Sequence, residues 1–407
     1  MSTSAEGTRT SRRVALGLLG LGPLVASGAL AAADSSGGTR VSRDLLPGGG
    51  YDRFIRGLAE ADQFSGTVLI AHRGRTVLAR AYGLADRERG IRNEIDTIYN
   101  LASASKPFTA LAIVQLAQAN RLRFTDTIGT HLHDYPDQTA TTVTIHHLLT
   151  HTGGLPNLVD ADDKHVNNSV EEATAREHER NRRGTPRFPP GSQHEYSSVG
   201  MSILGEIVAK VTGRYFHEYV AEHILRPAGM SSSDYYTRDD WLTNPRIAHP
   251  YMYQEDGSRV DAVRNLDAGA VLGGGPGSNA ARGYIGSGGG GGFATAGDLV
   301  SFATALGQDR LLTPAFRELY LSPKVPQTPL RTEATGGPDH PFGAYGVVAG
   351  LTHGEQVVGH GGGIGGGNTN WSIYRQRDLV GVILCNYDLD IPPIIARERE
   401  AVFTSTR

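Results

Sequence analysis

The stretch from Ser103 to Ala119 constrains this chain more than any other. It is built from Ala, Leu, Ile and Val on nearly every side. A surface helix shows an apolar stripe backed by polar residues; a helix without a polar face must be enclosed by protein all round. Pro107 falls in the first turn of such a helix, where a missing N–H costs little. Enclosing it takes packing layers on more than one side. A chain of 407 residues, 39% hydrophobic and 20% charged, has the material. That composition excludes wholesale disorder, and the length fits two to three domain units or one large domain with an insertion.

Strand signals stand at both ends of the chain. Gly66 to Tyr82 reads as two strands joined by a turn at Arg73-Gly74, a β-hairpin. Gln356 to Gly359, Asn370 to Tyr374 and Leu379 to Cys385 read as further strands, and Pro392 to Phe403 as a closing helix. Between them lie helical patterns at Val143 to His151, Val199 to Val211, Tyr215 to Leu225 and Phe293 to Leu306. Arg176 to Gly191 reads as a charged connection and Gly273 to Gly292 as a mobile glycine-dense loop. The pattern predicts an α/β unit made from both chain ends, about 51–118 and 291–407, around a mainly helical insertion at about 119–290.

The first 33 residues read as a targeting segment. Arg12-Arg13 precede an uncharged stretch from Val14 to Ala33, which ends in Ala31-Ala32-Ala33, a small-residue cleavage site. The paired arginines match a twin-arginine export signal, so the expected location is outside the cytoplasm. An uncleaved anchor of about 20 residues is the alternative. Cleavage after Ala33 would take the net charge from −3 to −5. Asp34 to Gly50, rich in Gly and Ser, reads as a flexible linker, and no later apolar run reaches spanning length.

Charge and cysteine content remove several classes. Lys+Arg 39 against Asp+Glu 42 gives no basic excess for nucleic acid. A single cysteine, Cys385, forbids an internal disulfide and a Cys-rich zinc site.

The chemistry concentrates at Ser103-Ala104-Ser105-Lys106. At the start of a helix, residues three apart share a face, so the amine of Lys106 can approach the hydroxyl of Ser103. A serine hydroxyl needs a base beside it to attack at neutral pH. A lysine serves only when burial or a neighbouring cation lowers its pKa. With 25 serines and four lysines in the chain, chance supplies roughly 0.25 such pairs, so context must carry the motif.

That context is a resemblance. Residues 101–110 (LASASKPFTA) are similar to the nucleophile motif of the serine β-lactamase-like hydrolases: class C β-lactamases, D-alanyl-D-alanine carboxypeptidases, D-aminopeptidases and family VIII esterases. Residues 144–156 (TIHHLLTHTGGLP), 188–200 (FPPGSQHEYSSVG), 291–299 (GGFATAGDL) and 359–363 (GHGGG) resemble its further motifs, in order, over roughly residues 51–390. The resemblance implies the β-lactamase/transpeptidase-like fold, an α+β arrangement in which helices flank an antiparallel sheet. It implies an acyl-enzyme on Ser103, with Lys106 and Tyr196 as proton handlers, and no metal or cofactor. It pairs the N–H groups of Ser103 and Gly363 as an oxyanion hole. Gly361, Gly362 and Ser198 become substrate-side positions, and His360 a catalytic one.

Two positions depart from the family pattern. Ser198 stands where an Asn is usual, and a hydroxyl is shorter than an amide. His360-Gly361-Gly362 stands where penicillin-recognising enzymes carry Lys-Thr-Gly, and histidine is mostly neutral at pH 7. Both rank an ester or D-Ala-type peptide above a β-lactam as substrate, with peptidoglycan as a candidate partner and a class C β-lactamase as the alternative. A non-catalytic protein binding peptidoglycan or β-lactams is the alternative from another class. It would be expected to have lost one of Ser103, Lys106 and Tyr196, and all three are present.

Other features read blandly. His147 and His151, four apart on the expected helix, suit packing or capping better than zinc. Gly286 to Gly291 fits G-x-G-x-x-G without the strand and helix a dinucleotide site needs. Cys385 reads as a buried filler, and Asp160, Asp162 and Asp163 as a solvated loop.

Overall fold

A computed structural model describes residues 40–158, 164–271, 275–327 and 339–404. The targeting segment, the linker up to residue 39 and the cluster of Asp160, Asp162 and Asp163 lie outside the described residues.

Gly66–His72 (β1) and Arg75–Tyr82 (β2) form the expected hairpin. Arg73 and Gly74 turn it with φ +53° and +73°, the left-handed pair that matches the twist of flanking strands. The other strands of the sheet are Val325–Pro326 (β3), Phe342–Gly343 (β4), Val348–Thr352 (β5), Glu355–Ile364 (β6), Gly367–Tyr374 (β7) and Leu379–Cys385 (β8). The order across it is β2-β1-β8-β7-β6-β5-β4-β3, every pairing antiparallel. The first and last long strands therefore meet in the middle, Gly66 opposite Cys385 and His72 opposite Leu379.

β1 is apolar from Val68 to Ala71 and β8 from Leu379 to Cys385, and both faces of each are covered. Successive side chains of a strand point to opposite faces. Leu69, Ala71, Val382 and Leu384 join one core, with Lys106–Gln118 (α2) and Ala296–Gly307 (α6). Val68, Ile70, Ile383 and Cys385 join the other, under Gly50–Glu60 (α1) and Pro392–Phe403 (α7). Each such aliphatic side chain contributes about 1.5–3 kcal/mol by leaving water.

α2 is enclosed as its sequence demands: from Lys106 to Ala117 only Gln115 is not buried. Phe108 meets Phe302 edge-on at 5.1 Å, and Phe302 meets Trp371 at 5.8 Å, tying α2 to α6 and to β7. On the far side lie Ile145–Leu149 (α3), Val170–Asn181 (α4) and Ser198–Thr212 (α5). Ser197 caps α5 by accepting the Gly200 N–H, and Gly213 at φ +73° ends it.

Several expectations change. α4 takes the first six residues, Arg176 to Asn181, of the supposed charged connection; Ser169 caps it and Glu171 and Glu172 sit in its first turn. The expected linker is packed from Ser42 onward, with Leu45 fully buried against α1 and α7. The helix expected from Phe293 begins at Ala296, after Phe293–Ala294 pairs with Tyr99–Asn100. Residues 275–292 are not a free loop: Gly277 and Ser278 pair with Ala270, and Gly288 to Gly292 are hydrogen-bonded to the nucleophile turn and the start of α2. No helix among the described residues is long and apolar enough to cross a membrane.

Candidate active site

Ser103 lies in a 3-10 turn, Ala102–Ser105, and α2 begins only at Lys106. Ala102 has φ +49°, uncommon for a residue with a Cβ. It is held there from both sides. Its N–H donates to Asn100 Oδ1 at 2.8 Å, and its carbonyl accepts the Gly291 N–H at 3.0 Å. Such conformations persist where the surroundings over-determine them.

Lys106 is fully buried. Its Nζ lies 2.8 Å from Ser103 Oγ and 3.1 Å from Ser198 Oγ, and it donates to the Gly289 carbonyl. Burial pulls its pKa below the usual lysine range, against an opposing pull from Tyr196. Nζ sits 5.0 Å from the centre of the Tyr196 ring.

Glycine lets three backbones converge on this lysine. A Cβ on Gly362 would stand 2.2 Å from the Leu101 carbonyl oxygen and 2.8 Å from Ser103 N. A Cβ on Gly288 would stand 2.6 Å from the Met201 carbonyl, while the Gly288 carbonyl accepts the Thr109 hydroxyl at 2.8 Å. Gly286 to Gly291, read as a loop near the site mouth, thus runs between the nucleophile turn and α5. β7 fixes the turn from the sheet side: Thr369 Oγ1 donates to Leu101 O at 2.9 Å and Trp371 Nε1 to Ala104 O at 3.0 Å.

Tyr196 stands just before α5, partly exposed, with His151 and His360 beside it. Ring centres are 4.7 Å from His151 and 6.3 Å from His360. His360, on β6, is nearly buried, and its Nδ1–H donates to the Gly361 carbonyl. Burial, aided by the charge of Lys106, pushes its pKa down to about 4. In the β6–β7 register Gly361, Gly362 and Gly363 lie opposite Asn370, Thr369 and Asn368. A cleft of about 950 Å³ opens over Ser103, Ser198 and Gly363, with Glu177 of α4 and Ile364 on its walls.

The structure brings Ser103, Lys106, Tyr196 and Ser198 together, with His360 behind Tyr196 and the three glycines along the nucleophile turn. Two residues at this site carried no functional reading from sequence. Asn157 spans the tyrosine, its Nδ2 donating to Tyr196 O at 3.0 Å and its Oδ1 accepting the Ser198 N–H at 2.6 Å. His151, expected on a helix, lies past the end of α3 at φ +56° and against Tyr196. His147 does cap α3, its Nδ1 accepting the Thr144 N–H. Cys385 is buried, its thiol pushed up to about 12 by desolvation.

A serine oxygen in contact with a buried lysine, beside a tyrosine, at a turn packed against an antiparallel sheet, suits the chemistry of the serine hydrolase class. Comparison with known proteins places the chain within that class. The β-lactamase family model matches residues 51–402, so this chain belongs to the β-lactamase family of serine hydrolases. Penicillin-binding protein 4* of Bacillus subtilis (strain 168) is 27% identical over 346 residues, 82% of this chain and 70% of that protein. A second relative from that strain is 28% identical over 197 residues, but the chain spans only 47% of its length. A penicillin-binding protein from Bacillus halodurans superposes with a TM-score of 0.70 at 27% identity, covering 86% of this chain and 99% of that one.

Proposed function

We propose that this chain is an exported serine hydrolase that opens carboxylic esters or D-Ala-type peptide amides through an acyl-enzyme on Ser103. The observation that carries it is the 2.8 Å contact between Ser103 Oγ and the fully buried Lys106 Nζ. With the amine neutral, the same contact passes the serine proton to nitrogen as Oγ attacks the substrate carbonyl. The carbonyl oxygen becomes an oxyanion, taken by the N–H groups of Ser103 and Gly363; such donors are typically worth about 2.7–4 kcal/mol in the transition state. Tyr196 delivers a proton to the leaving group and takes one back from Lys106, which returns the amine to its neutral form. Water then attacks the acyl-Ser103 ester and releases the acid, restoring Oγ–H.

Preference for esters or peptides over β-lactams is supported by His360. A neutral imidazole packed behind Tyr196 offers no cation for a β-lactam carboxylate, and the Ser198 hydroxyl is already engaged by Lys106.

The test is intact mass of the purified protein after exposure to a penicillin, beside Ser103→Ala, with the remaining drug assayed in the same tube. A persistent adduct that Ser103→Ala lacks supports a penicillin-binding peptidase. No adduct and intact drug, with ester turnover abolished in Ser103→Ala, supports an esterase. Rapid consumption of the drug overturns the ranking in favour of a β-lactamase. Export belongs to the same proposal: a secreted chain beginning at Asp34 supports it, and a cytosolic chain retaining Arg12 and Arg13 sinks it.

A further inference from the structure

His151 touches Tyr196 and its chain neighbours by three routes. Its carbonyl accepts the Glu195 N–H at 2.9 Å. Its Nδ1 accepts the Ser197 N–H at 3.3 Å. Its ring lies tilted by 38° on the Tyr196 ring. The residue before the tyrosine and the residue after it are therefore both tethered to one side chain and backbone, and the phenol between them rests on that side chain's face.

We propose that His151 is the residue that positions Tyr196 for proton transfer. This inference rests on the reading of Tyr196 as a proton handler. A partly exposed tyrosine just before a helix has several rotamers open to it. The His151 ring occupies one side of the phenol and Lys106 lies beneath it.

His151 is itself fixed. Its backbone N–H donates to Leu148 O at the end of α3, and its ring meets His194 edge-on at 6.1 Å. Because Nδ1 accepts, the ring proton sits on Nε2, the neutral tautomer. The groups facing it are Lys106, His360, His194 and Tyr196. Desolvation first, then the charges of Lys106, His360 and His194, hold its pKa well below the ordinary histidine value. Protonation would remove the acceptor for Ser197.

The left-handed backbone at His151 supplies a discriminating variant. Asn tolerates that conformation, and its Oδ1 can replace Nδ1 as acceptor, so His151→Asn keeps the tether without the ring. The experiment is a double-mutant cycle on ester hydrolysis by the full chain, using His151→Ala, His151→Asn, Tyr196→Phe and both double variants. His151→Ala is expected to lower kcat by about 10²-fold, the size of effect that a misplacement of about 1 Å produces. KM should change far less, and His151→Asn should recover part of the loss. In the Tyr196→Phe background either His151 substitution should change kcat by no more than about twofold. An undiminished effect in that background, or an effect confined to KM, overturns the proposal. If His151→Ala fails to fold, the cycle with His151→Asn still decides. Failure of the underlying reading registers elsewhere, as a Tyr196→Phe variant that keeps the parent's kcat.

Discussion

Lys106 is the residue on which the chemistry turns, and its environment fixes a pH signature. Its pKa is lowered by burial, so the free amine appears at lower pH than for ordinary lysine at about 10.4. Turnover should rise with pH along a limb whose apparent pKa lies below that value, because burial lowers the Lys106 amine. Lys106→Arg, permanently charged, should lose about 10²–10⁴-fold in kcat/KM and the limb with it; an unchanged profile would remove Lys106 from the base role. Gly362→Ala would set a methyl 2.2 Å from the Leu101 carbonyl. Overpacking of that kind costs about 1–3 kcal/mol, so Tm should fall. Activity should fall further than the Tm implies, because the displaced atoms include Ser103 N. Ser103, Lys106, Tyr196 and His360 were legible because each sits in a short motif in fixed chain order. His151 and Asn157 were not. What they touch depends on a left-handed turn after α3, which no helical periodicity announces.

α4 shows how a charged element can carry structure. Its sequence, Val170 to Asn181, lacks an apolar stripe, so its second half, from Arg176, read as the start of a connection. What holds it is polar. His178 Nδ1 lies 2.6 Å from Glu206 on α5, and Nε2 lies 2.6 Å from Asp134. Tyr135 and Asn181 donate to the same Glu206 carboxylate at 2.9 and 2.8 Å. The hydrogen bond to Glu206 leads in raising the His178 pKa to about 9, with Asp134 adding to it. A histidine raised above its unfolded value of about 6.5 stabilises fully below that value, and the contribution is lost as pH rises through about 9. Tm should therefore drop between pH 6.5 and 9.5, and His178→Gln should flatten that slope; equal slopes would discard the bridge as a stabilising device. The glycine-dense segment misled for the opposite reason. Glycine signals freedom in a loop, yet here it permits close backbone approach, which only the fold reveals. By contrast β1, β2, β8 and α7 were legible nearly to the residue, because turn chemistry and two-sided burial leave little choice.

At the scale of the whole molecule, both chain ends build one sheet, and α1 and α7 cover its back together. Glu398 of α7 is buried there. Its Oε1 accepts the Tyr374 hydroxyl at 2.8 Å, its Oε2 has no hydrogen-bond partner among the described residues, and burial raises its pKa to about 7. A carboxyl raised above its unfolded value of about 4.3 favours the fold at low pH, and that contribution is lost as pH rises through about 7. Glu398→Gln keeps the acceptor and cannot ionise. It should have a higher Tm than the parent at pH 8 and a similar one at pH 5; a lower Tm at pH 8 would refute the account. The pairing of β1 with β8 also sets a schedule. Ser65 and Asn386, hydrogen-bonded beside that pair, are 321 residues apart. At about 5–20 residues per second of synthesis, the end of β8 trails the start of β1 by roughly 16–64 s. For that interval the hairpin has an open apolar edge on the ribosome, waiting for the last strand to be made.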